Sequence, residues 1–204
     1  MKNTLLFISL LLITISSSGH DKKEASNEIS KKKVLVVSFI EKNFKSTYEI
    51  YEISKENGID SETILSYLDD KICGSFPKSV EVEFIKCTDK PKIFETNVTF
   101  SSGKKDILIP NLSEIDNVSF NKLFEAYHVD YIMFINGYEI NWIDDPQFKV
   151  ENNIHFTILV KDRKQIATTK QTFSTPKLIS FDKMEKRIQK LTMKIYTKYF
   201  KKLI

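Results

Sequence analysis

The chain has 204 residues, of which 41% are hydrophobic and 28% are charged, and it carries a formal net charge of +4. These proportions are typical of a globular protein and exclude a chain that is disordered throughout. It contains only 5 Gly and 5 Pro, which excludes collagen-like and Gly/Pro-rich low-complexity proteins. The shortage of Gly also argues against a site built on a glycine-rich phosphate-binding loop.

Residues 1–19 have the pattern of a secretory signal peptide, with Lys2 before an apolar run at 5–15 and small residues at 16–19. The apolar run is shorter than the ~20 residues that a transmembrane helix needs, although an uncleaved anchor stays open as the alternative. Residues 20–32 are polar and charged, and we interpret them as a flexible leader. Residues 33–204 then form a single globular domain. We expect an exported protein, periplasmic or secreted, with no integral membrane segment after cleavage.

Cys73 and Cys87 are the only two cysteines in the sequence. In an exported chain an even number of cysteines suggests one disulfide. It would close a loop of about 15 residues and stabilise the fold by ~3 kcal/mol in the chain-entropy description. The alternative is a reduced pair that is buried as small apolar side chains.

Hydrophobic periodicity predicts the elements in chain order. Strands are predicted at 33–40, 79–86, 130–141, 150–160 and 165–173, and helices at 46–56, 64–72, 119–127 and 182–202. Residues 88–112 predict a long loop with one or two short strands. Asp182 and Glu185 have the spacing of an acidic capping box for the last helix.

This mixture of helices with consecutive late strands predicts an α+β fold, an α/β sandwich. It would contain a mixed sheet of about five strands, with helices packed on it and a long C-terminal helix.

The segment KVLVVSF at 33–39 follows a secretion leader and a polar spacer. In that position it resembles the opening strand of a group of Gram-negative envelope proteins. The group includes the amino-terminal domain of the Tol propeller protein and the curli-secretion lipoprotein superfamily. The segment DYIMFINGYEIN at 130–141 is similar to their central strand. The resemblance implies an assembly or accessory factor that is not an enzyme. The chain lacks the lipidated Cys of the lipoprotein members, which argues against a lipid tether.

The residues suited to metal binding or catalysis are few. His20, His128 and His155 are the only histidines, and their spacing matches no metal-binding motif. We therefore expect no metal ion, no cofactor and no catalytic residue. His155 lies at the outward position of a strand whose neighbours point inward, unless the strand has a bulge or is buried on both faces.

Three acidic residues near the only tryptophan support a second hypothesis, that the protein is an enzyme. Asp144 and Asp145, with Glu139, could form a carboxylate pair for glycoside hydrolysis, and Trp142 could stack on a sugar. The alternative interpretation is a polar turn after a strand. The second hypothesis is therefore a secreted glycan hydrolase.

The C-terminal helix is the most distinctive feature of the sequence. Apolar residues fall within one arc of the helix, which Met193 extends, and basic residues fall within another. The candidate interaction surface combines Trp142 with Lys183, Lys186, Arg187, Lys190 and Lys194. Such a surface could bind a protein partner in the cell envelope or an anionic envelope surface. The alternative is a helix that packs on the sheet and leaves a solvated basic face.

Nucleic acid is not an expected partner, because the net charge is small and Arg163 and Arg187 are the only arginines. Asn97, Asn111 and Asn117 begin N-x-S/T sequons, which matter only in a eukaryotic secretory pathway.

The leading hypothesis is an exported, non-enzymatic protein that serves as a binding or accessory subunit of the envelope.

Overall fold

The computed structural model describes residues 31–144 and 148–201. The predicted signal peptide and nearly all of the predicted leader lie outside these residues, as does Asp145.

The described residues form eight strands, five α-helices and two short 3₁₀ turns, Lys104–Asp106 and Lys161–Arg163. The strands are β1 Lys32–Ser38, β2 Phe44–Ser46, β3 Val82–Lys86, β4 Thr99–Ser102, β5 Leu108–Asn111, β6 Tyr131–Ile143, β7 Lys149–Leu159 and β8 Gln165–Thr175. The helices are α1 Ile50–Asn57, α2 Ile64–Cys73, α3 Lys92–Asn97, α4 Asn117–Ala126 and α5 Phe181–Ile195, which continues into a π-helical turn at Tyr196–Phe200.

One mixed sheet organises the fold, with strand order β3-β1-β6-β7-β8. Strands β3, β1 and β6 are parallel, β7 and β8 continue antiparallel, and the short β2 pairs with β6 beyond the end of β1. A second, two-stranded sheet consists of β4 and β5. The predicted α+β fold, with its mixed sheet and long C-terminal helix, is therefore confirmed.

The central strands of the sheet, β1, β6 and β7, are buried on both faces, which makes a three-layer sandwich. The first core packs one face against α1, α2 and α5, and the second core packs the other face against α3, α4 and the β4–β5 hairpin. A sheet covered on both sides needs apolar residues at successive positions. This accounts for the uninterrupted apolar stretch of β1, in which Val34, Leu35, Val36 and Val37 are all buried.

A β-bulge in β6 lets another segment of the chain approach the sheet closely. The register of β6 against β7 shifts between Ile135 and Gly137. A Cβ atom at Gly137 would lie 2.6 Å from the carbonyl oxygen of Asn43 and 2.7 Å from Leu108 Cδ1. A residue without a side chain is therefore required at this point.

Four local predictions were wrong. The helix predicted from residue 46 begins at Ile50, because Glu49 and Glu52 form the capping box and residues 44–46 belong to β2. The predicted loop at 88–112 contains α3 as well as the two short strands. Helix α5 begins directly after Ser180, so Asp182 and Glu185 do not form the predicted capping box. Asp182 instead accepts a hydrogen bond from Tyr67 and forms an ion pair with Lys71. Met193 is 45% exposed rather than part of the apolar face.

Candidate functional site

Helix α5 separates its apolar and basic residues as the sequence predicts. Met184, Ile188, Leu191 and Ile195 are buried in the first core. The basic residues lie on the exposed part of the helix. The apolar face therefore fixes the helix on the sheet, and this packing determines where the basic side chains are presented.

A groove of about 510 Å³ runs between α5 and β8. We call it the β8–α5 groove; its lining residues are Thr172, Phe173, Lys183, Lys186, Arg187, Lys190, Leu191 and Lys194. All five basic residues that the sequence singled out are among them. No carboxylate of the described residues lines the groove.

Most of the positive charge in the groove is not compensated by ion pairs. Lys183 lies 3.4 Å from the carboxylate of Glu56. Lys186, Lys190 and Lys194 form no ion pair with any residue in the ranges that the structure describes. Like charges that line one concave surface add their potentials and attract anions. The groove is therefore suited to an anionic partner.

The basic surface continues beyond this groove. A neighbouring depression of about 510 Å³ is lined by Gln171, Met193, Lys194, Thr197 and Lys198, so that Lys194 belongs to both. The exposed thioether of Met193 adds an adaptable apolar contact to this surface.

A second crevice differs from the groove in its electrostatics. It measures about 410 Å³ and lies at the carboxyl ends of β1 and β3, where Ser38, Asp69, Asp70 and Lys86 contribute to its lining. Lys86 Nζ lies 2.8 Å from Asp69 Oδ2 and also pairs with Asp70. Carboxylates outnumber lysines in the lining of this crevice, whereas the charged residues of the β8–α5 groove are all basic.

Trp142 does not line the β8–α5 groove. It lies near the end of β6, 39% exposed, where its ring stacks on Phe148 at a centroid distance of 5.9 Å and contacts Tyr48 edge-on. Phe148 is itself 69% exposed. The structure thus places the tryptophan in a separate aromatic cluster and does not bring it together with the basic row.

The two described carboxylates of the glycan-hydrolase hypothesis lie in different environments. Asp144 is exposed and accepts a hydrogen bond from the indole N–H of Trp142. Glu139 is only 8% exposed and faces His155 inside the protein. A glycosidase needs two carboxyl groups that flank one sugar bond, and the deep burial of Glu139 does not favour that role.

The sequence did not reveal a buried polar cluster on the second face of the sheet. His155 is completely buried, and its Nδ1 atom accepts a hydrogen bond from the backbone N–H of Leu108 at 3.1 Å. The side chain of Asn136 donates to the carbonyl of Leu108 and to Thr157 Oγ1, both at 2.8 Å. These bonds tie β5 to the sheet. The sequence feature that could have indicated this cluster is the presence of the polar residues Asn136 and His155 within apolar stretches of β6 and β7.

The pKa of His155 lies below its ordinary value, because burial penalises the charged ring. Glu139 opposes this effect, since its Oε2 atom lies 3.2 Å from Nε2; the nearby Lys170 and Lys45 reinforce it. The hydrogen bond from Leu108 supports the lowered pKa, because a protonated Nδ1 could no longer accept it. We conclude that His155 is neutral and that it has a structural role in holding β5.

Cys73 and Cys87 are both free thiols in the structure. Cys73 is buried in the first core, whereas Cys87 packs against the second core on the opposite face of the sheet. A bond between them would require one of the two to move around the end of β3. The disulfide stays a prediction that intact-mass measurement on the exported protein can test.

Within residues 31–144 and 148–201, no three His, Cys, Asp or Glu side chains converge on a point that could hold a metal ion. In the same ranges no helix has both the length and the apolar character needed to cross a membrane.

No protein-family model matches the chain, and no curated protein matches it. Several solved structures are similar to it, among them the following three. The hypothetical protein CT253 from Chlamydia trachomatis is 11% identical, with a TM-score of 0.46 over 82% of this chain and 94% of that chain. A point variant of the PelC dodecamer from Paraburkholderia phytofirmans is 8% identical, with a TM-score of 0.36 over 82% and 86% of the two chains. A second PelC dodecamer from the same organism is 9% identical, with a TM-score of 0.34 over 79% and 85%.

Proposed function

We propose that this protein is an exported, non-enzymatic binding or accessory protein of the cell envelope, and that its β8–α5 groove binds an anionic partner there. The signal-peptide pattern at 1–19 supports export. The resemblance of 33–39 and 130–141 to envelope accessory proteins supports the location. Binding would occur by surface and charge complementarity, without a bond-making step.

The observation that carries the proposal is the row of basic side chains along the groove. Lys186, Lys190 and Lys194 project from one face of a helix that is fixed on the core by its opposite face. A solvated basic face is common on helices, but here the lysines border a concave surface that no described carboxylate lines, and only Lys183 has an acidic partner, Glu56. Such an arrangement raises the local concentration of anions.

The test compares two charge-reversal variants of the full chain. The groove variant is Lys186→Glu/Lys190→Glu, and the matched control is Lys92→Glu/Lys122→Glu, which reverses exposed lysines of α3 and α4. Binding is measured to phosphatidylglycerol vesicles by flotation and to dextran sulfate by fluorescence anisotropy, at low salt where exposed charges are poorly screened. Every variant carries the same apolar N-terminal run, so that its contribution to vesicle binding cancels.

We expect the groove variant to bind both anions at least about tenfold more weakly than the wild type, and the control to stay within about twofold. Neutral phosphatidylcholine vesicles should bind the three proteins equally, because only the shared apolar N-terminal run contributes to binding there. Equal loss in both variants, or undiminished binding by the groove variant, would show that the groove is not the anion-binding surface.

A further inference from the structure

Strand β8 is an edge of the main sheet. It pairs with β7 on one side, and within the described residues no strand pairs with its other side. It extends over 11 residues, Gln165–Thr175, whereas the opposite edge strand β3 has only 5. A long edge strand exposes a row of unpaired N–H and C=O groups.

This edge lacks the features with which proteins usually prevent strand pairing. The sequence QIATTKQTFST contains no Pro and a single charged residue, Lys170. It is rich in Thr, which favours the extended conformation. Charged side chains, prolines and very short length are the common protections of an exposed edge, and β8 has little of any of them.

The free edge and the basic row border the same groove. Thr172 and Phe173 of β8 line it together with the basic residues of α5. Arg187 Nη1 donates to the backbone carbonyl of Ser174 at 2.6 Å. The α5 side chains therefore reach the main chain of β8, and a strand placed along this edge would pass beside them.

The spacing of the cations suits an extended chain. In a strand, side chains on one face recur every ~6.8 Å. Lys183, Lys186, Lys190 and Lys194 are separated by three or four residues, which corresponds to about 4.5–6 Å along the helix axis. The row spans about 17 Å, the length of roughly five residues of strand. Three acidic side chains at alternate positions would match it.

We propose that the partner is an extended acidic segment of another protein, which adds to β8 as a further strand and places alternate carboxylates over the α5 cations. This inference rests on the proposed function and names the partner that the groove accepts. Main-chain hydrogen bonds to β8 would provide the register, and the basic row would select the charge.

The test uses the full chain and four synthetic seven-residue peptides. The first has Glu at positions 2, 4 and 6 between Thr residues. The second and third have the same sequence with N-methyl groups on two backbone nitrogens, at positions 3 and 5 in one and at 2 and 4 in the other, so that each edge of the peptide is blocked in turn. The fourth contains the same residues with the three Glu contiguous. Affinity is measured by titration calorimetry, and hydrogen exchange follows the amides of β8.

We expect the alternating peptide to bind and to slow exchange in 165–175. Blocking the pairing edge should weaken binding by roughly tenfold or more, because main-chain hydrogen bonds are lost. The Lys186→Glu/Lys190→Glu variant should bind the alternating peptide at least about tenfold more weakly.

Equal binding of all four peptides, or no protection of β8, would overturn the inference. If the groove variant still loses its affinity for dextran sulfate and phosphatidylglycerol vesicles, the proposed function stands. The groove would then bind a membrane surface or a polyanion without strand addition. If the variant binds these anions normally, the proposed function itself has failed.

Discussion

Tyr138 and Asn152 form a hydrogen-bonded pair in the first core, and we expect their contributions to the free energy of unfolding to be coupled. Both side chains are fully buried, and the Tyr138 hydroxyl donates to Asn152 Oδ1 at 2.7 Å. Burial raises the pKa of Tyr138, so the hydroxyl remains a donor over the physiological range. The perturbation is Tyr138→Phe, which removes only the hydroxyl and leaves the side-chain amide oxygen of Asn152, Oδ1, without its partner.

The expected cost of Tyr138→Phe is about 1–3 kcal/mol, since a buried acceptor loses its hydrogen bond where water cannot replace it. Asn152 Nδ2 already has no partner among the described residues, so the amide has no other bond to compensate. Asn152→Leu should cost a similar amount, because it leaves the tyrosine hydroxyl unsatisfied. The double variant removes both polar groups and should recover most of the loss.

The assay is urea unfolding followed by circular dichroism, with the free energy of unfolding taken from the midpoint and the slope. Each single variant should also lower the melting temperature by roughly 4–8 °C for a loss of about 2 kcal/mol. Additive losses in the double variant would refute the reasoning, because they would show that the two side chains contribute independently.

Three further predictions concern other parts of the protein. Burial lowers the pKa of His155 in the folded protein, so that as the pH falls the imidazole is protonated in the unfolded state before it is protonated in the folded state. The free energy of unfolding should therefore decrease as the pH drops below about 6.5. His155→Gln should flatten this part of the pH profile, measured by urea titrations at different pH values. In the reduced folded protein, iodoacetamide should modify the half-buried Cys87 well before the buried Cys73, and equal rates by peptide mass spectrometry would contradict the packing. Ile188→Ala should cost about 2–5 kcal/mol because Ile188 is buried, whereas Met193→Ala at the exposed surface should change stability by less than about 0.5 kcal/mol.

Hydrophobic periodicity alone was enough to predict the fold class. The strands β1, β6, β7 and β8 and the helix α5 are each marked by local patterns of apolar residues, and the structure contains all of them. The basic row of α5 was visible for the same reason, since residues three and four apart share one side of a helix. Capping was less predictable. Several polar residues near each helix start could serve, and at α1 and α5 the observed start differs from the expected one.

What sequence patterns could not supply is the contact between elements that are distant along the chain. That β8 is an edge strand follows only from the order of strands in the sheet. That its main chain meets the basic row of α5 follows only from how the helix packs beside it. The burial of His155 beneath Leu108 likewise depends on where the β4–β5 hairpin packs. Local periodicity reports which face of an element is apolar, but it contains no information on which other element covers that face. Tertiary packing therefore turns a common amphipathic helix into one wall of a groove, and that groove supports the proposed function.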